Sequence, residues 1–281
     1  MSELQEGLSA ATAPEDEEKA LLREAEALEA RGARERVAYY ARLLGPERRG
    51  RLLDVGCGNG YAVDEWRLRG ADGYGVDCSI YRLGRWISEG GGARGLVVAD
   101  AGRLPFADGT FADVISSGMI EHVGVDESPR PYSVRARPDR DALRERVIEQ
   151  LVRVSDGSGT VLVDCPNGTF PVDFWHGDRI GSFRPHRIPD VLLPTFGAFR
   201  RWARRLARPA RLRPLSGRLS FRQVGRHWWG RVLRPAMAFW LWSLDLGVRA
   251  GLGRLLAPLY PYLVVELCPP DKPGRDSTHP R

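Results

Sequence analysis

The sequence of 281 residues predicts an α/β fold of the doubly wound kind, and three observations carry the prediction. A short apolar run, Leu52-Leu53-Asp54-Val55, leads directly into a glycine-rich turn, Gly56-Cys57-Gly58-Asn59-Gly60, and then into a helical pattern. Two further hydrophobic runs end in Asp77 and Asp100 at the spacing of successive strand–helix units. A fourth run, Phe111 to Ser117, follows them. Strands that alternate with helices in this way form a parallel sheet, whose ligand crevice lies at the carboxyl ends of the strands.

Taken in order, residues 1 to 14 are small and polar, the composition of a disordered tail. From Glu15, apolar residues recur at helical spacing (Ala20, Leu21, Ala25 and Leu28, then Val37, Tyr39, Tyr40, Leu43 and Leu44) until Gly45-Pro46 stops the pattern. N-terminal helices over 15–50 are therefore expected, lying across the sheet edge and helping to close the ligand site. Gly56, Gly58 and Gly60 let the backbone approach a ligand where a Cβ would collide, and the helix Ala62–Arg69 offers its free N–H groups and positive dipole end; together they make a nucleotide cradle. Gly73 to Asp77 reads as the second strand, ending in a carboxylate able to accept both hydroxyls of a ribose. Gly95 to Ala101 is the third, and its Asp100 can take an adenine amino proton. The fourth strand leads into Gly118-Met119-Ile120-Glu121-His122-Val123.

Gly124 to Pro138 holds three prolines, reads as too irregular for an element, and is a candidate lid. Asp139 is placed to cap a helix running to about Val154, with Leu143, Val147, Ile148, Leu151 and Val154 on one face. Asp156 to Gly159 ends it, Thr160 to Asp164 is the fifth strand, and Tyr262 to Leu267 is the last. The sixth strand has no clear position; Leu219 to Val224 is the candidate.

The D-x-G-C-G-x-G turn at 54–60, the V-D pair at 76–77, the D-A-x-x-L-P-F run from Asp100 with Phe111 and Val114 beyond it, and E-H-V at 121–123 resemble the class I S-adenosylmethionine-dependent methyltransferases, type 11 group. The likeness covers about residues 51 to 166. It implies a Rossmann-like, mostly parallel seven-stranded sheet and S-adenosylmethionine as cofactor. It also implies that Gly56, Gly58 and Gly60 pass under the methionine and ribose, Asp54 holds the ammonium end, Asp77 the ribose, and Asp100 with the Ala101 amide the adenine. Ala112 departs from the family's usual Asp at a position that does not touch cofactor. An NAD- or FAD-binding dehydrogenase, the rival for such a turn, would carry Gly or Ala where this chain has Tyr61.

Methyl transfer from a sulfonium requires alignment and exclusion of water, and needs a base only if the acceptor is a hydroxyl or a protonated amine. His122, after the fourth strand, and His176 and His186, in the segment bordering the acceptor, are the candidate catalytic bases, with Glu121 orienting its loop. Pro166-Asn167 followed by Asp173, Trp175, His176, Arg184 and His186 loosely resembles an arrangement in type 11 members that modify glycans or lipids. The four cysteines, at 57, 78, 165 and 268, lack C-x-x-C spacing, so neither a zinc site nor any other metal is expected.

The net charge of +6 is unevenly distributed, with twelve arginines and no Asp or Glu between residues 200 and 234. Residues 196–258 are read as a basic, aromatic helical cap inserted before the last strand, between a core at 51–195 and a final strand and tail at 259–281. Phe196, Phe199, Trp202, Ala203 and Leu206 mark one face of its first helix, opposite Arg200, Arg201, Arg204, Arg205 and Arg208. The uncharged run from Pro235 to Leu244 is far short of the roughly 20 residues that span a bilayer, but Trp and Arg together suit an anionic membrane interface. A secretory signal is absent, which points to the cytoplasm with peripheral contact at the inner membrane face. The reading is thus a methyltransferase acting on a hydroxyl of a small-molecule, sugar or lipid-linked acceptor. RNA methylation through the arginines, or a non-catalytic cofactor-binding subunit, are the alternatives; Ser116-Ser117-Gly118-Met119 stands where methyltransferases acting on base nitrogens carry N/D-P-P-Y/F/W, which disfavours nucleic acid. Nothing in the sequence bears on oligomeric state.

Overall fold

The computed structural model describes residues 26–45, 50–88, 95–129, 132–176, 183–219 and 228–269, so the expected tail at 1–14 and the start of the N-terminal helical segment lie outside the described residues. Within it, helix α1 (26–44) buries Ala33, Val37, Tyr39 and Tyr40, four of its apolar positions. It spans from the glycine turn, where Glu29 Oε2 accepts from Asn59 Nδ2 at 2.8 Å, to the far side of the sheet, where the Tyr39 hydroxyl donates to the Pro214 carbonyl at 2.6 Å.

The strands follow the expected α/β order: β1 (Arg51–Val55), α2 (Tyr61–Leu68), β2 (Asp72–Asp77), α3 (Ile80–Ser88), β3 (Leu96–Val98) and β4 (Phe111–Ser117). β1 is central because Leu52, Leu53 and Val55 are apolar toward both faces, as an interior parallel strand requires. After β4 come a hairpin of β5 (Val125–Pro129) and β6 (Tyr132–Ala136), helix α4 (Arg140–Val154) and β7 (Ser155–Pro166). The candidate lid is therefore not irregular: Val125 pairs with Ala136 through to Pro129 with Tyr132, because Pro129 sits at the hairpin end, where a missing N–H is tolerated. Asp139 stands at the N-cap of α4 but makes no side-chain capping bond; only its main-chain carbonyl accepts, from Leu143 N.

β7 begins earlier than expected. Phe111 pairs with Ser155 and Asp113 with Thr160, so the 156–159 turn residues form a bulge inside the strand. Gly159 is what allows it, since a Cβ there would fall 2.6 Å from the Ala112 carbonyl oxygen. Beyond it lie a short pairing of β8 (Val172–Asp173) with β9 (Arg184–Pro185), helix α5 (Phe196–Arg205), β10 (Ala210–Leu212), helix α6 (Trp228–Gly247), a short α7 (Gly253–Leu256) and β11 (Tyr262–Leu267).

The seven-stranded sheet has the order β3-β2-β1-β4-β7-β11-β10 and is parallel except at β11, which runs against both neighbours. β10 is the sixth strand. The candidate at Leu219–Val224 is corrected: Leu219 makes only an isolated bridge with Ser216, and 220–224 lie outside the described residues. Three residues in arginine- and proline-rich text carry no strand periodicity; β10 exists because β11 offers an edge, pairing Ala210 with Leu267 and Leu212 with Val265. Residues 196–212, read as the start of the cap, thus supply α5 and β10 to the central layers. α5 buries Phe196, Phe199, Trp202 and Ala203 as its periodicity implies, whereas Arg208, placed on its polar face, is also buried. α6 is anchored by Asp245, a fully buried carboxylate that accepts from Leu215 N at 2.8 Å, Ser216 N at 2.7 Å and the Tyr260 hydroxyl at 2.8 Å.

Candidate active site

The order of strands reverses between β1 and β4, and the carboxyl ends of these two strands frame the crevice. On the β1 side the turn is held by Gly56 N and Cys57 N donating to the Val76 carbonyl at 2.8 and 3.1 Å, with Gly56 at φ 79°, Gly58 at 55° and Gly60 at 79°. A Cβ on Gly56 would meet the Met119 side chain at 2.7 Å. The turn is therefore packed directly against the segment that follows β4. Asp77 braces it from β2: Oδ2 accepts from Gly58 N at 2.9 Å, and Oδ1 from Ser79 N at 2.8 Å. Asp54 is buried behind the turn, and burial pushes its carboxyl up to about 6, against the pull of Arg36 and with a further push from Asp77. Asp100 is exposed, its Oδ1 accepting from Gly102 N at 2.8 Å, and Ala101 beside it is half-buried. A desolvated carboxylate at Asp54 beside the turn fits a ligand that carries a cation.

On the β4 side a short turn, Ile120–His122, carries two functional groups. Glu121 is buried, which pushes its carboxyl up to about 7 against the opposing influence of His122, and among the described residues its Oε2 has no hydrogen-bond partner. His122 is partly exposed and its Nδ1 lies 2.5 Å from Glu127 Oε1, supplied by the β5–β6 hairpin. The loop is pinned by Arg144 of α4, which donates to the carbonyls of Glu121 at 2.6 Å, Val123 at 3.1 Å and Leu192 at 2.6 Å.

The segment after β7 brings His176 onto this turn, its ring 5.1 Å from that of His122 and edge-on to it. His176 Nδ1 lies 2.8 Å from Asp173 Oδ2. Burial opposes ionisation of Asp173, but the His176 ring, the Trp175 N–H and the Arg184 guanidinium together hold its carboxyl below the usual range. An ionised Asp173 fixes His176 with its Nδ1 protonated, leaving Nε2 as the basic nitrogen. His186 is turned elsewhere: its Nδ1 contacts the Arg187 carbonyl at 3.0 Å and Asp190 at 3.5 Å, and its side chain is 2% exposed. The three candidate histidines thus separate into a pair and an outlier.

Sequence reasoning missed a second buried group at the end of β7. Asp164 accepts from the hydroxyls of Ser117 at 2.8 Å and Tyr262 at 2.6 Å and from the Arg218 guanidinium at 3.2 Å, and Arg218 also lies over the Tyr262 ring. Trp175 packs on Tyr262 with centroids 4.8 Å apart. Asp164 ends a hydrophobic run just as Asp77 and Asp100 do, a signal that could have marked it; Arg218, one arginine among many, carried none.

Residues 53–137 match the family model described as "Methyltransferase domain". Among solved structures, Haemonchus contortus phosphoethanolamine N-methyltransferase 2, in complex with phosphomonomethylethanolamine and S-adenosylhomocysteine, is similar at 16% identity and a TM-score of 0.52, over 84% of this chain and 52% of that one. A Haloferax volcanii complex containing the Trm112 methyltransferase activator aligns at 15% identity and a TM-score of 0.49, over 84% of this chain and 89% of that chain. The PH0226 protein of Pyrococcus horikoshii shares 23% identity at a TM-score of 0.36, over 43% of this chain and 51% of that one. This chain therefore spans about half the length of the Haemonchus and Pyrococcus proteins. No curated protein matches the sequence.

The sheet order and the glycine turn are those of the class I S-adenosylmethionine-dependent methyltransferase fold, and residues 53–137 match a methyltransferase domain.

Proposed function

We propose that the protein is a methyltransferase that uses S-adenosylmethionine, and that its acceptor is a hydroxyl of a small-molecule, sugar or lipid-linked compound, bound against His122, His176 and Trp175. The carrying observation is the imidazole pair, each ring set against a carboxylate, at the acceptor end of the crevice. In this reading Asp54, Gly56, Gly58, Gly60, Asp77, Asp100 and Ala101 hold the cofactor, which when bound supplies an electrophilic methyl group on a sulfonium. A hydroxyl must lose its proton as it is methylated, and two imidazoles backed by Glu127 and Asp173 favour that loss. His186 has no part in it, being enclosed with Asp190. The β5–β6 hairpin, through Glu127, ties the proton-handling group to a flap able to cover the acceptor.

A lipid-linked acceptor is supported by α6. Trp228, Val232, Phe239, Trp242 and Leu246 recur at helical spacing along its outer face and are 54–74% exposed, a stripe that an isolated soluble protein would not normally leave uncovered. Trp240 instead turns inward, its ring 6.1 Å from that of Phe170. Nearby, a cleft of about 890 Å³ is lined by Arg42, Arg200, Arg211, Arg213, Arg249 and Arg254, a setting for anionic headgroups. No helix among the described residues is long and apolar enough to cross a membrane, so the contact would be peripheral, at the inner membrane face.

Incubation with methyl-labelled cofactor and fractionated cell extract tests the acceptor. Label is expected in lipid or glycan fractions as a base-stable methyl ether; label on RNA or on an amine overturns the reading.

A further inference from the structure

We propose that Glu121, His122 and His176 hold a divalent transition-metal cation, which seats the acceptor oxygen beside the glycine turn. The cation's task rests on the hydroxyl-acceptor reading above, in which a bound cation would replace the imidazole nitrogens as the group that favours loss of the acceptor's proton; its presence rests on geometry alone. One donor atom from each of the three residues lies within 4.8 Å of the other two. Tetrahedral bonds of about 2.0–2.2 Å would put donors roughly 3.3–3.6 Å apart, so the three need draw in by at most about 1.5 Å.

Two independent features point the same way. Glu121 is 2% exposed, and among the described residues its Oε2 has no hydrogen-bond partner. A buried carboxylate oxygen without a partner is costly, and a bound cation removes that cost. Arg144, which could have neutralised it, directs its hydrogen bonds to main-chain carbonyls instead. Each imidazole, moreover, already has Nδ1 against a carboxylate, His122 on Glu127 and His176 on Asp173, which is how metal-bound histidines are commonly oriented. Two imidazoles and one carboxylate suit zinc, iron or nickel rather than magnesium or calcium, and leave coordination positions open for an oxygen ligand. Met119, one residue before this turn, packs on Gly56, so such a cation would sit next to the cofactor's cradle.

Titration of the chelator-treated, full-length protein with Co²⁺, followed by its visible absorption bands and displaced by Zn²⁺, tests the site without reference to activity. One saturable equivalent is expected. His176→Ala and Glu121→Gln should each weaken Co²⁺ binding at least tenfold while cofactor affinity, measured by calorimetry, is retained, and Asp173→Asn should weaken it about 10–100-fold. Should Glu121→Gln fail to fold, His176→Ala, which removes a partly exposed ring, still decides. A parent protein with no saturable Co²⁺ spectrum, or one undiminished in the variants, overturns the proposal. Ether formation that persists undiminished in chelator removes the cation's role and leaves the hydroxyl reading standing; a Co²⁺ site in an enzyme that methylates amines removes the hydroxyl reading and leaves the site.

Discussion

The two ends of the crevice are built in opposite ways. The cofactor side is continuous chain: turn, helix and carboxylates at 54, 77 and 100 follow one another at regular spacing, and their contacts, such as Gly58 to Asp77, are short in sequence. The acceptor side is assembled from afar: His122 meets His176, and Asp164 meets Ser117, Arg218 and Tyr262. On the glycine-turn side the main-chain donors are taken up by Val76 and Asp77 nearby, whereas the β4 and β7 ends bury Asp164 and Asp173 against partners from other segments. On the proposed reading the cofactor is held by local structure, while the choice of acceptor falls to the parts of the fold that depend most on tertiary contacts.

The sharpest break between the two sides should come from the histidines. His122→Ala or His176→Ala is expected to lower turnover about 10²–10⁴-fold while cofactor affinity, measured by calorimetry, stays within a few-fold. Near-parental turnover in both would end the assignment of proton handling to this pair.

The reciprocal experiment is Asp77→Ala. Loss of a charged acceptor in the ribose position is worth about 1.5–3 kcal/mol, so cofactor affinity should fall at least tenfold, with NAD binding absent in parent and variant alike. Unchanged affinity would mean that Asp77 serves only Gly58 and Ser79.

A third variant separates ligand binding from stability on the cofactor side. Folded Asp54 keeps its proton up to about pH 6, while the unfolded chain loses it near the ordinary value of 3.8. The stability from this group is therefore complete below the unfolded value and is lost as pH rises through about 6. Asp54→Asn escapes that loss. Denaturant melts of the cofactor-free protein should show the variant more stable at pH 7 by about 1–3 kcal/mol, with the gap shrinking toward pH 4, even as cofactor affinity falls. An unstabilised variant at pH 7 would show that Asp54 is not held against its desolvation.

The smallest expected effect is at the periphery of the acceptor side. Vesicles containing anionic lipid should pellet the protein in a salt-sensitive manner, each engaged arginine contributing about 1 kcal/mol. Replacing Phe239 and Trp242 with Ala should weaken pelleting several-fold, and replacing the inward Trp240 should affect it less. Equal recovery in the supernatant with anionic and neutral vesicles would return the α6 stripe to another kind of partner.

What the sequence determined by itself was the run of strand–helix units from β1 to β4, the α4 face and β11, because period-two and helical patterns and glycine turns are encoded within a few residues. The buried face of α5 was legible for the same reason. Tertiary structure alone decided the rest. β10 is a strand only because β11 leaves an edge to pair with, and the 125–136 hairpin forms despite its proline, which falls at the hairpin end. His176 is brought to His122 and His186 is not, because Asp173 holds one ring while Asp190 contacts the other. Asp245 and Asp164 became anchors through partners from distant parts of the chain. A buried charge must be satisfied by whatever the fold brings beside it, and that neighbour is chosen by sheet order rather than by any pattern along the chain.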